Sequence, residues 1–368
     1  MRFSVQAVGL RKSFGPSSVL GVVSFSLEEG AVGAIVGPSG SGKTTLLNIL
    51  SGVLSPDSGE VYVDGTPVER RGGEAKDELH VPPSGRNVGY VFQDYLLFPH
   101  MTVFENVAYG LKARHLPRQT VTADVMKMLD TLGIRDLSGK KPGQISGGQM
   151  QRAALGRAMV LNPKVLLMDE PLSALDWQTR EILRSELRGV FEKFKTTVVY
   201  VTHDLDEAFY FGSRIGVLGG GMLTPLGTRD EILATMSPST ARFFGFSLLS
   251  AEFLRSVGPL GVFSVGPWGT QVGIALARPV RLTPGQNLLL AFSPTAVRLN
   301  PPPGELDPMK GVVLDVREFR DTAQIVVGDP HQTVVLEVPS YEFERLALKR
   351  GDTVAFSITK AWAVENGH

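Results

Sequence analysis

Eight residues near the N-terminus have the composition of a loop that binds phosphate. They read Gly-Pro-Ser-Gly-Ser-Gly-Lys-Thr over residues 37–44, after an apolar segment and before a helical one. Glycines let the backbone turn its N–H groups toward phosphate oxygens, and the start of the next helix adds positive partial charge. Lys43 is expected to contact the β- and γ-phosphates, and the Thr44 hydroxyl to ligate magnesium. The predicted nucleotide-binding residues are Gly37, Ser39, Gly40, Ser41, Gly42, Lys43, Thr44 and Thr45.

A pair of carboxylates ends the apolar segment 165–168 farther along the chain. The pair is Asp169 and Glu170. Two adjacent carboxylates can divide the work of phosphoryl transfer, because one holds the magnesium shell while the other polarises water. We expect Asp169 to take the first role and Glu170 the second. An isolated Asp-Glu pair after a strand is as easily a solvated loop, and its place downstream of the phosphate loop favours the catalytic interpretation.

A third segment identifies a family. Ile145-Ser-Gly-Gly-Gln149 resembles the LSGGQ signature of the ABC transporter ATPases, with Ile in place of the first Leu. The family's other marks follow the same order in this chain, at Phe14, Gln93, Ser173-Ala-Leu-Asp176 and His203. The resemblance covers residues 11–207 and implies that the nucleotide is ATP and that the metal is Mg²⁺.

The signature also implies a second copy of the chain. Ser146, Gly147, Gly148 and Gln149 open a predicted helix, which makes them another anion site, although one γ-phosphate needs only one loop. In the family, this signature faces the ATP that the partner chain holds. The resemblance therefore implies a homodimer in which two chains close head to tail over two nucleotides.

The family assigns roles to four further residues. Gln93 would reach magnesium and the attacking water, His203 the γ-phosphate, and Asp176 the partner's P-loop. Phe14 would stack on adenine. The implied catalytic residues are Glu170, His203 and Gln93, and the implied metal ligands are Thr44, Gln93 and Asp169. Plainer interpretations stay open, because Gln93 can be an ordinary loop residue, His203 can lie beside a helix cap and Phe14 can be a core aromatic.

Short β-type segments alternate with helical patterns up to about residue 235, which is typical of an α/β core with a largely parallel sheet. The segments 31–36, 165–168 and 197–201 read as buried strands followed at once by polar residues. Helical periodicity replaces the β pattern between Gln93 and Pro163. We predict an α/β P-loop NTPase core, the ABC ATPase domain, over residues 1–240, with a helical subdomain at about 94–163.

After Phe243 the pattern changes to alternating strands separated by Gly and Pro. This predicts a second domain, residues 245–368, that is an all-β barrel. It resembles the OB-like regulatory TOBE region of importer ATPases. The triplet Ala-Phe-Ser occurs at 291–293 and at 355–357, which suggests two related β-modules. The prolines of Asn300–Gly304 predict a linker between them.

Composition excludes several classes of protein. Lys plus Arg equals Asp plus Glu at 37 each, so no global basic field favours a nucleic-acid partner. The chain has no cysteine, which excludes disulfides and thiolate sites. The N-terminus lacks the pattern of a signal peptide, and no apolar run approaches the roughly 20 residues of a membrane span. A membrane role would therefore require a partner that supplies the spans.

The resemblance then implies a peripheral subunit on the cytoplasmic side of the cell (inner) membrane. Such a subunit docks on transmembrane permease subunits, which work with a solute-binding protein. The segment Tyr95–Asn106 resembles the part of importer ATPases that receives a helix of the permease, although its apolar residues can also be core.

The nature of the solute is less sharply indicated. The segments 173–176 and 179–184 resemble the branches for inorganic ions (molybdate or tungstate, sulfate, ferric iron) or polyamines. A sugar importer ATPase and a soluble ABC ATPase without a transport role remain the alternatives. The segment 70–84 is longer than the usual connection of the family, and its polar composition predicts a surface loop with no assigned function.

Overall fold

The computed structural model describes residues 2–72, 78–173, 175–265, 270–301, 308–328 and 332–364. The chain forms two compact units, residues 1–229 and residues 230–368. The α/β core followed by an all-β, barrel-like region is confirmed. The predicted domain limits at 240 and 245 stay predictions.

A single mixed sheet organises the first unit. Its strands lie in the order β6-β5-β4-β1-β2-β11-β10-β3-β9-β8-β7. The strands β10, β3, β9, β8 and β7 run parallel, whereas β1, β2, β4, β5 and β6 form antiparallel pairs. Their bounds are β1 Phe3–Phe14, β2 Ser17–Glu28, β3 Val32–Val36, β4 Ser58–Val63, β5 Thr66–Arg71, β6 Leu79–His80, β7 Val88–Val91, β8 Val165–Asp169, β9 Thr197–Thr202, β10 Arg214–Gly219 and β11 Met222–Leu223.

The parallel strands carry the deepest part of this unit. Every residue of β8 and β9 is buried, as expected of parallel strands that are covered on both faces. Because they run parallel, their carboxyl ends meet at one edge of the sheet. The residues that follow β3, β7, β8 and β9 therefore converge there.

Helices cover the sheet and form the predicted helical region. Between Val91 and Val165 the described chain contains three α-helices and no strand. A capping box of Thr102 and Glu105 starts the first of them, which explains its sharp beginning. The helices of this unit are α1 Lys43–Ser51, α2 Val103–Ala113, α3 Arg118–Thr131, α4 Gly147–Met159, α5 Trp177–Phe194 and α6 Leu205–Phe211.

Two β-modules make up most of the second unit. A closed barrel has the order β12-β13-β14-β21-β15, and a second sheet has the order β16-β20-β17-β18-β19. The described elements are α7 Arg229–Ala234, which begins at the end of the first unit, α8 Pro238–Phe243, β12 Ser247–Val257, β13 Leu260–Val265, β14 Thr270–Leu276, β15 Asn287–Phe292, β16 Val297–Leu299, β17 Met309–Glu318, β18 Thr322–Gly328, β19 Thr333–Pro339, α9 Ser340–Leu346, β20 Thr353–Ile358 and β21 Lys360–Val364.

The predicted linker at Asn300–Gly304 is wrong as a divider of these modules. Residues 302–307 lie outside the described residues, but β16 and β17 on either side belong to the same sheet. The last strand, β21, instead returns to pair with β15 in the barrel. The sequence pattern could not show this return, because it records the order of strands along the chain and not their pairing.

The long segment 70–84 is partly described. Residues 73–77 lie outside the described residues, and β6 pairs with β5 through Glu69–His80 and Arg70–Leu79. Within the described parts of the chain, none of the helices combines the length and the apolar character that a membrane crossing requires.

Candidate ATP site

The loop between β3 and α1 turns tightly around its glycines. Gly40 and Gly42 have φ angles of +78° and +100°, a region that favours glycine. A Cβ at Gly42 would press on the side chains of Val19 and Leu20 of β2. The loop therefore needs glycine at position 42 both for its backbone angle and for the space beside β2.

Lys43 begins α1 and is folded back over the loop. Its Nζ donates to the carbonyl oxygens of Gly37 at 2.9 Å and Pro38 at 3.0 Å. Only 5% of the Lys43 side chain is exposed. Of the other predicted residues, Ser39 and Gly40 are exposed, Thr45 is half-buried, and the buried Ser41 hydroxyl has no hydrogen-bond partner among the described residues. The loop thus holds a cationic side chain beside exposed backbone.

Asp169 ends β8 and faces α1. Its Oδ1 accepts a hydrogen bond from the Thr44 hydroxyl at 3.2 Å, and its Oδ2 accepts one from the Tyr90 hydroxyl at 3.4 Å. Tyr90 also lies 3.2 Å from the Asn48 side-chain oxygen. Burial raises the pKa of Asp169 above its usual value, and the Thr44 hydrogen bond partly opposes that rise. The carboxylate is therefore held where its charge is poorly solvated.

Glu170 connects two other predicted residues. Its Oε1 lies 3.3 Å from Lys43 Nζ, and its Oε2 lies 2.7 Å from His203 Nδ1. The backbone of Glu170 has φ +43°, an uncommon left-handed conformation for this residue type. Its N–H donates to Val201 at 3.0 Å, and its carbonyl accepts from the Ser173 hydroxyl at 2.8 Å. Strain of this kind gathers at functional residues, and here the neighbouring strand and turn maintain it.

Gln93 and Phe14 lie at the surface. β7 pairs in parallel with β8 through Val91 and Met168, so Gln93 and Glu170 each come two residues after this pair. Gln93 is exposed and, among the described residues, makes no hydrogen bond with the Lys43 and Glu170 cluster. Phe14 ends β1 with 52% of its surface exposed and with Lys12 Nζ 5.5 Å from its ring centroid. The interpretation of Phe14 as a core aromatic is therefore wrong.

The signature residues lie on a different element. Ser146 caps α4, and the Gln149 side chain accepts from the Ser146 N–H at 2.9 Å in a reciprocal capping box. Gly147 and Gly148 stand in the first turn, where Gly148 packs near Leu183 of α5. No hydrogen bond or ion pair between described residues connects this segment to Lys43, Asp169 or Glu170. Its free groups are the N–H groups of a helix start.

Asp176 is the N-cap of α5. Its carboxylate accepts from the Thr179 N–H at 3.0 Å, and this backbone hydrogen bond lowers the pKa of Asp176. A cap explains this side chain within one chain. The predicted contact with the partner's P-loop stays a prediction.

A side chain of α4 holds the segment that follows Gln93. Tyr95 is buried and Leu96 is 54% exposed, so the segment contains both core and surface residues, as expected. Both have left-handed backbone angles, and Arg157 donates to their carbonyl oxygens at 2.9 and 2.7 Å. Burial lowers the pKa of Arg157. One cation of the signature helix thereby fixes this surface segment.

Sequence reasoning missed the second layer around Asp169. Tyr90 and Asn48 are ordinary members of a strand and a helix in the sequence, and nothing in their spacing indicates a contact with residue 169. Burial raises the pKa of Tyr90, and the charge of Asp169 adds to the rise, so the hydroxyl stays a donor. The adjacency of β7 and β8 in the sheet is the only signal that could have found it.

Comparisons with known proteins agree with this geometry. The family model described as ABC transporter matches residues 20–173. The chain is 43% identical to the molybdate/tungstate import ATP-binding protein of Pyrococcus horikoshii over 61% of the chain and 62% of that relative. It is 37% identical to the spermidine/putrescine import ATP-binding protein of Acidothermus cellulolyticus over 83% of the chain and 78% of that protein.

A third relative is similar over nearly the whole length. The chain is 35% identical to the sulfate/thiosulfate import ATP-binding protein of Mycolicibacterium paratuberculosis over 97% of the chain and 89% of that relative. By contrast, the alignment spans less than two thirds of the archaeal molybdate/tungstate relative. The similarity thus includes the second unit in some relatives and covers less than two thirds of the chain in others.

Proposed function

The chain belongs to the ABC transporter family, in its group of import ATP-binding proteins, and from that premise we propose that it is the ATP-hydrolysing subunit of an import system. The observation that carries the proposal is the cluster at the carboxyl edge of the parallel strands. There Lys43, Glu170 and His203 form one chain of polar contacts, and Thr44 and Asp169 lie beside it. These are the groups that binding and hydrolysing a nucleoside triphosphate require.

Lys43 supplies the main cation for the phosphates. In the structure its ammonium group contacts two loop carbonyls and Glu170, all of which are acceptors. Phosphate oxygens are stronger anionic acceptors, so the β- and γ-phosphates of ATP take the place of these contacts. The exposed Phe14 ring stacks on adenine at the other end of the nucleotide.

Thr44 and Asp169 fit a magnesium ion. Both offer oxygen, the donor that Mg²⁺ prefers, and their oxygens lie 3.2 Å apart. The described residues contain no cluster of three or more His, Cys, Asp or Glu side chains placed to hold a metal. When bound, Mg²⁺ neutralises charge on the β- and γ-phosphates. Gln93, which follows the neighbouring strand, would be a further oxygen ligand for this ion.

Glu170 and His203 position the attacking water. Water attacks the γ-phosphorus, and the bond between this phosphorus and the bridging oxygen breaks, which releases ADP. The carboxylate of Glu170 accepts the proton of the water. His203 is 50% exposed and holds Oε2 of Glu170 at 2.7 Å, so it can turn toward the γ-phosphate while Glu170 stays in place. Orientation and electrostatics carry most of such a reaction.

The signature completes the site of a second copy. Ser146 to Gln149 present helix N–H groups and contain no phosphate-binding lysine of their own. Two chains therefore sandwich two ATP molecules, each between the loop of one chain and the signature of the other. Asp176, at the start of α5, joins the two sites. Closure of the sandwich drives a separate permease to its outward-facing state, and hydrolysis resets it.

The setting follows from the group of relatives. Named relatives import molybdate or tungstate, polyamines and sulfate or thiosulfate, and one imports trehalose or maltose. An inorganic ion or a polyamine remains our proposed solute for this chain, with sugar as the alternative. The chain acts at the cytoplasmic side of the membrane, bound to permease subunits that receive the solute from a solute-binding protein. The second unit is the regulatory domain of the dimer.

Cysteine cross-linking can test the sandwich directly, because the chain has no cysteine of its own. Ser39 and Ser146 are both exposed, one in the phosphate loop and one at the signature. Chains with Ser39→Cys and chains with Ser146→Cys, both carrying Glu170→Gln, are mixed and oxidised with and without Mg-ATP. We expect a disulfide between the two chains that depends on Mg-ATP. Ser185→Cys, at an exposed position of α5, replaces Ser146→Cys as the control.

Cross-linking tests the head-to-tail sandwich, and ATP hydrolysis distinguishes an ATPase from a nucleotide sensor. A cross-link with Ser185→Cys as strong as with Ser146→Cys, or one that ATP does not change, would contradict the head-to-tail sandwich. ATP hydrolysis by the purified chain is measured in parallel. An unmodified chain that binds ATP and never hydrolyses it would instead be a nucleotide sensor.

A further inference from the structure

The carboxylate of Asp169 is held from two sides by different elements. Thr44, in the first turn of α1, donates to Oδ1, whereas Tyr90, on β7, donates to Oδ2. The Tyr90 hydroxyl also lies 3.2 Å from Oδ1 of Asn48, which stands one turn after Thr44 on the same face of α1. Four side chains from α1, β7 and β8 therefore form a closed ring that includes the carboxylate.

The sheet and a neighbouring ring fix the position of Tyr90. β7 pairs in parallel with β8, and Tyr90 stands opposite Leu167, two residues before Asp169. The ring of Tyr90 stacks on Phe92, with 4.0 Å between the ring centroids and 18° between the planes. The hydroxyl therefore meets Asp169 from a fixed direction.

The proton of this hydroxyl has two competing acceptors. A phenol has a single O–H donor, and both Asp169 Oδ2 and Asn48 Oδ1 can accept it. A hydrogen bond to an ionised carboxylate is roughly twice as strong as one between neutral groups. A carboxylate must be ionised to bind a metal ion. In that state the proton of Tyr90 is directed to Oδ2, and Oδ1 is the oxygen that faces Thr44.

We propose that Tyr90 is a positioning residue for the magnesium site, because it donates to one oxygen of Asp169 and thereby keeps the other directed to Thr44 and the ion. This inference rests on the proposed function, in which Thr44 and Asp169 hold Mg²⁺. Hydrogen bonds to a ligating carboxylate set its orientation, and their loss typically costs about 10- to 100-fold in metal affinity. Without the hydroxyl, the carboxylate of Asp169 is free to turn away from the ion.

A packing role for Tyr90 makes a different prediction. Phenylalanine at this position keeps the stack on Phe92 and the place in β7. If the ring only packs, loss of the hydroxyl leaves ATP binding unchanged. If the hydroxyl only stabilises the fold, its loss changes ATP binding equally with and without Mg²⁺. A change that appears only with Mg²⁺ is specific to the positioning role.

The experiment removes the hydroxyl alone. Equilibrium binding of ATP to the full chain is measured for the unmodified protein and for Tyr90→Phe, in EDTA and at a series of free Mg²⁺ concentrations. We expect Tyr90→Phe to need about tenfold more Mg²⁺ for half of the full effect on ATP affinity. In EDTA the two chains should bind ATP equally. Thermal unfolding verifies that the variant is folded.

Tyr200 supplies a matched control on β9, on the other side of β8. Its hydroxyl donates to Oε2 of the buried Glu207 at 2.8 Å. Tyr200→Phe therefore also takes a hydroxyl away from a buried carboxylate, but outside the ring that includes Asp169. It should lower the stability of the chain and leave its Mg²⁺ requirement unchanged.

A double variant tests whether Tyr90 acts through Asp169. Asp169→Asn removes the charged acceptor, so adding Tyr90→Phe to it should change the affinity for ATP with Mg²⁺ by less than about twofold. A further loss of about tenfold on that background would mean that Tyr90 acts on another group, which would contradict the proposal.

Two results distinguish a failure of this proposal from a failure of the proposed function. If Mg²⁺ does not change ATP binding by the unmodified chain, the magnesium site is wrong and so is the role of Tyr90. If the unmodified chain requires Mg²⁺ and Tyr90→Phe requires the same concentration, only the role of Tyr90 is wrong. An equal shift in Tyr200→Phe would also overturn that role, because a general loosening of the sheet would then explain both variants.

Discussion

The two regions that we propose to face phosphate in this chain are built on opposite principles. In the phosphate site, Lys43 and Glu170 expose only 5% and 15% of their side chains and are joined by an ion pair. In the signature, Ser146 is exposed, carries no charge and is satisfied by its own capping box. Chemistry that moves charge is therefore concentrated in the first region, and the second contributes helix N–H groups. Substitutions should divide in the same way.

The largest effect is expected at Glu170. Replacing Glu170 with Gln keeps the shape of the side chain and removes the group that we propose accepts the proton of the attacking water. ATP turnover should fall by about 100- to 10,000-fold, while ATP affinity stays close to that of the unmodified chain. Steady-state hydrolysis and equilibrium nucleotide binding are the measurements.

A surface carboxylate supplies the control for Glu170. Glu192 lies on α5, 68% exposed, and pairs with Arg188 at 3.2 Å. Glu192→Gln removes the same charge from the chain and should leave turnover unchanged. Unreduced turnover in Glu170→Gln would remove Glu170 from the catalytic role.

Lys43 should produce the next largest effect, and on a different quantity. Lys43→Ala removes the cation that we propose binds the phosphates, so ATP affinity should fall by about 10- to 100-fold, the value of a hydrogen bond to a charged group. The measurement is equilibrium binding of ATP to the full chain. Lys164→Ala removes an exposed lysine, 3.6 Å from Asp64, and should not change affinity. Unchanged ATP affinity in Lys43→Ala would contradict the phosphate-cradle interpretation.

The residues of the phosphate site follow from sequence more readily than their contacts do. The glycines and Lys43 are fixed by local backbone and phosphate chemistry, so a short motif contains them. The pair of Asp169 and Glu170 follows from a strand that ends in carboxylates. Tyr90 could not be predicted, because its contact with Asp169 depends on which strands are neighbours in the sheet.

Strand pairing over long sequence distances also limits what the sequence predicts for the second unit. Alternation and turns predicted an all-β region, and the structure has a barrel and a second sheet there. The return of β21 to the barrel comes from pairing between residues far apart in sequence, such as Leu289 and Val364. Local patterns determine that a segment is a strand, and long-range packing determines its partner.

The signature should show stability and activity responding separately. Ser146→Ala removes the cap of α4 and should lower the free energy of unfolding by about 1 kcal/mol. Ser146→Asp keeps a good cap, but it adds a negative charge where we propose that the partner's γ-phosphate binds. Its turnover should fall by at least about tenfold, as expected for like charges in close contact. Denaturant unfolding and hydrolysis are measured on both variants.

Asparagine distinguishes charge from shape at this position. Ser146→Asn caps a helix as well as Asp does and carries no charge. It should retain more turnover than Ser146→Asp at equal stability. Equal turnover in the two variants would mean that the signature does not face a phosphate.

The smallest expected effect lies back in the phosphate site, at Asp169. Burial raises the pKa of this carboxyl in the folded chain above its ordinary value of 3.8. The folded state therefore binds the proton more tightly than the unfolded state. The stabilisation is fully present below the ordinary pKa and is lost as pH rises through the raised folded value. Asp169→Asn cannot ionise, so without nucleotide it should not show this loss.

Unfolding by urea from about pH 3 to about pH 7 measures the difference, a range that begins below the ordinary value for a carboxyl group and extends well above it. The unmodified chain should lose stability relative to Asp169→Asn as the pH rises. Above the raised pKa, the difference in free energy of unfolding between the two chains should stay constant. The same variant should lose the magnesium dependence of ATP binding, because it no longer offers a carboxylate to the ion. If the unmodified chain instead lost stability relative to Asp169→Asn as the pH fell, Asp169 would be stabilised in its charged form. Asp169 would then behave like a carboxylate in a structural ion pair and not like a ligand of a cation that binds later.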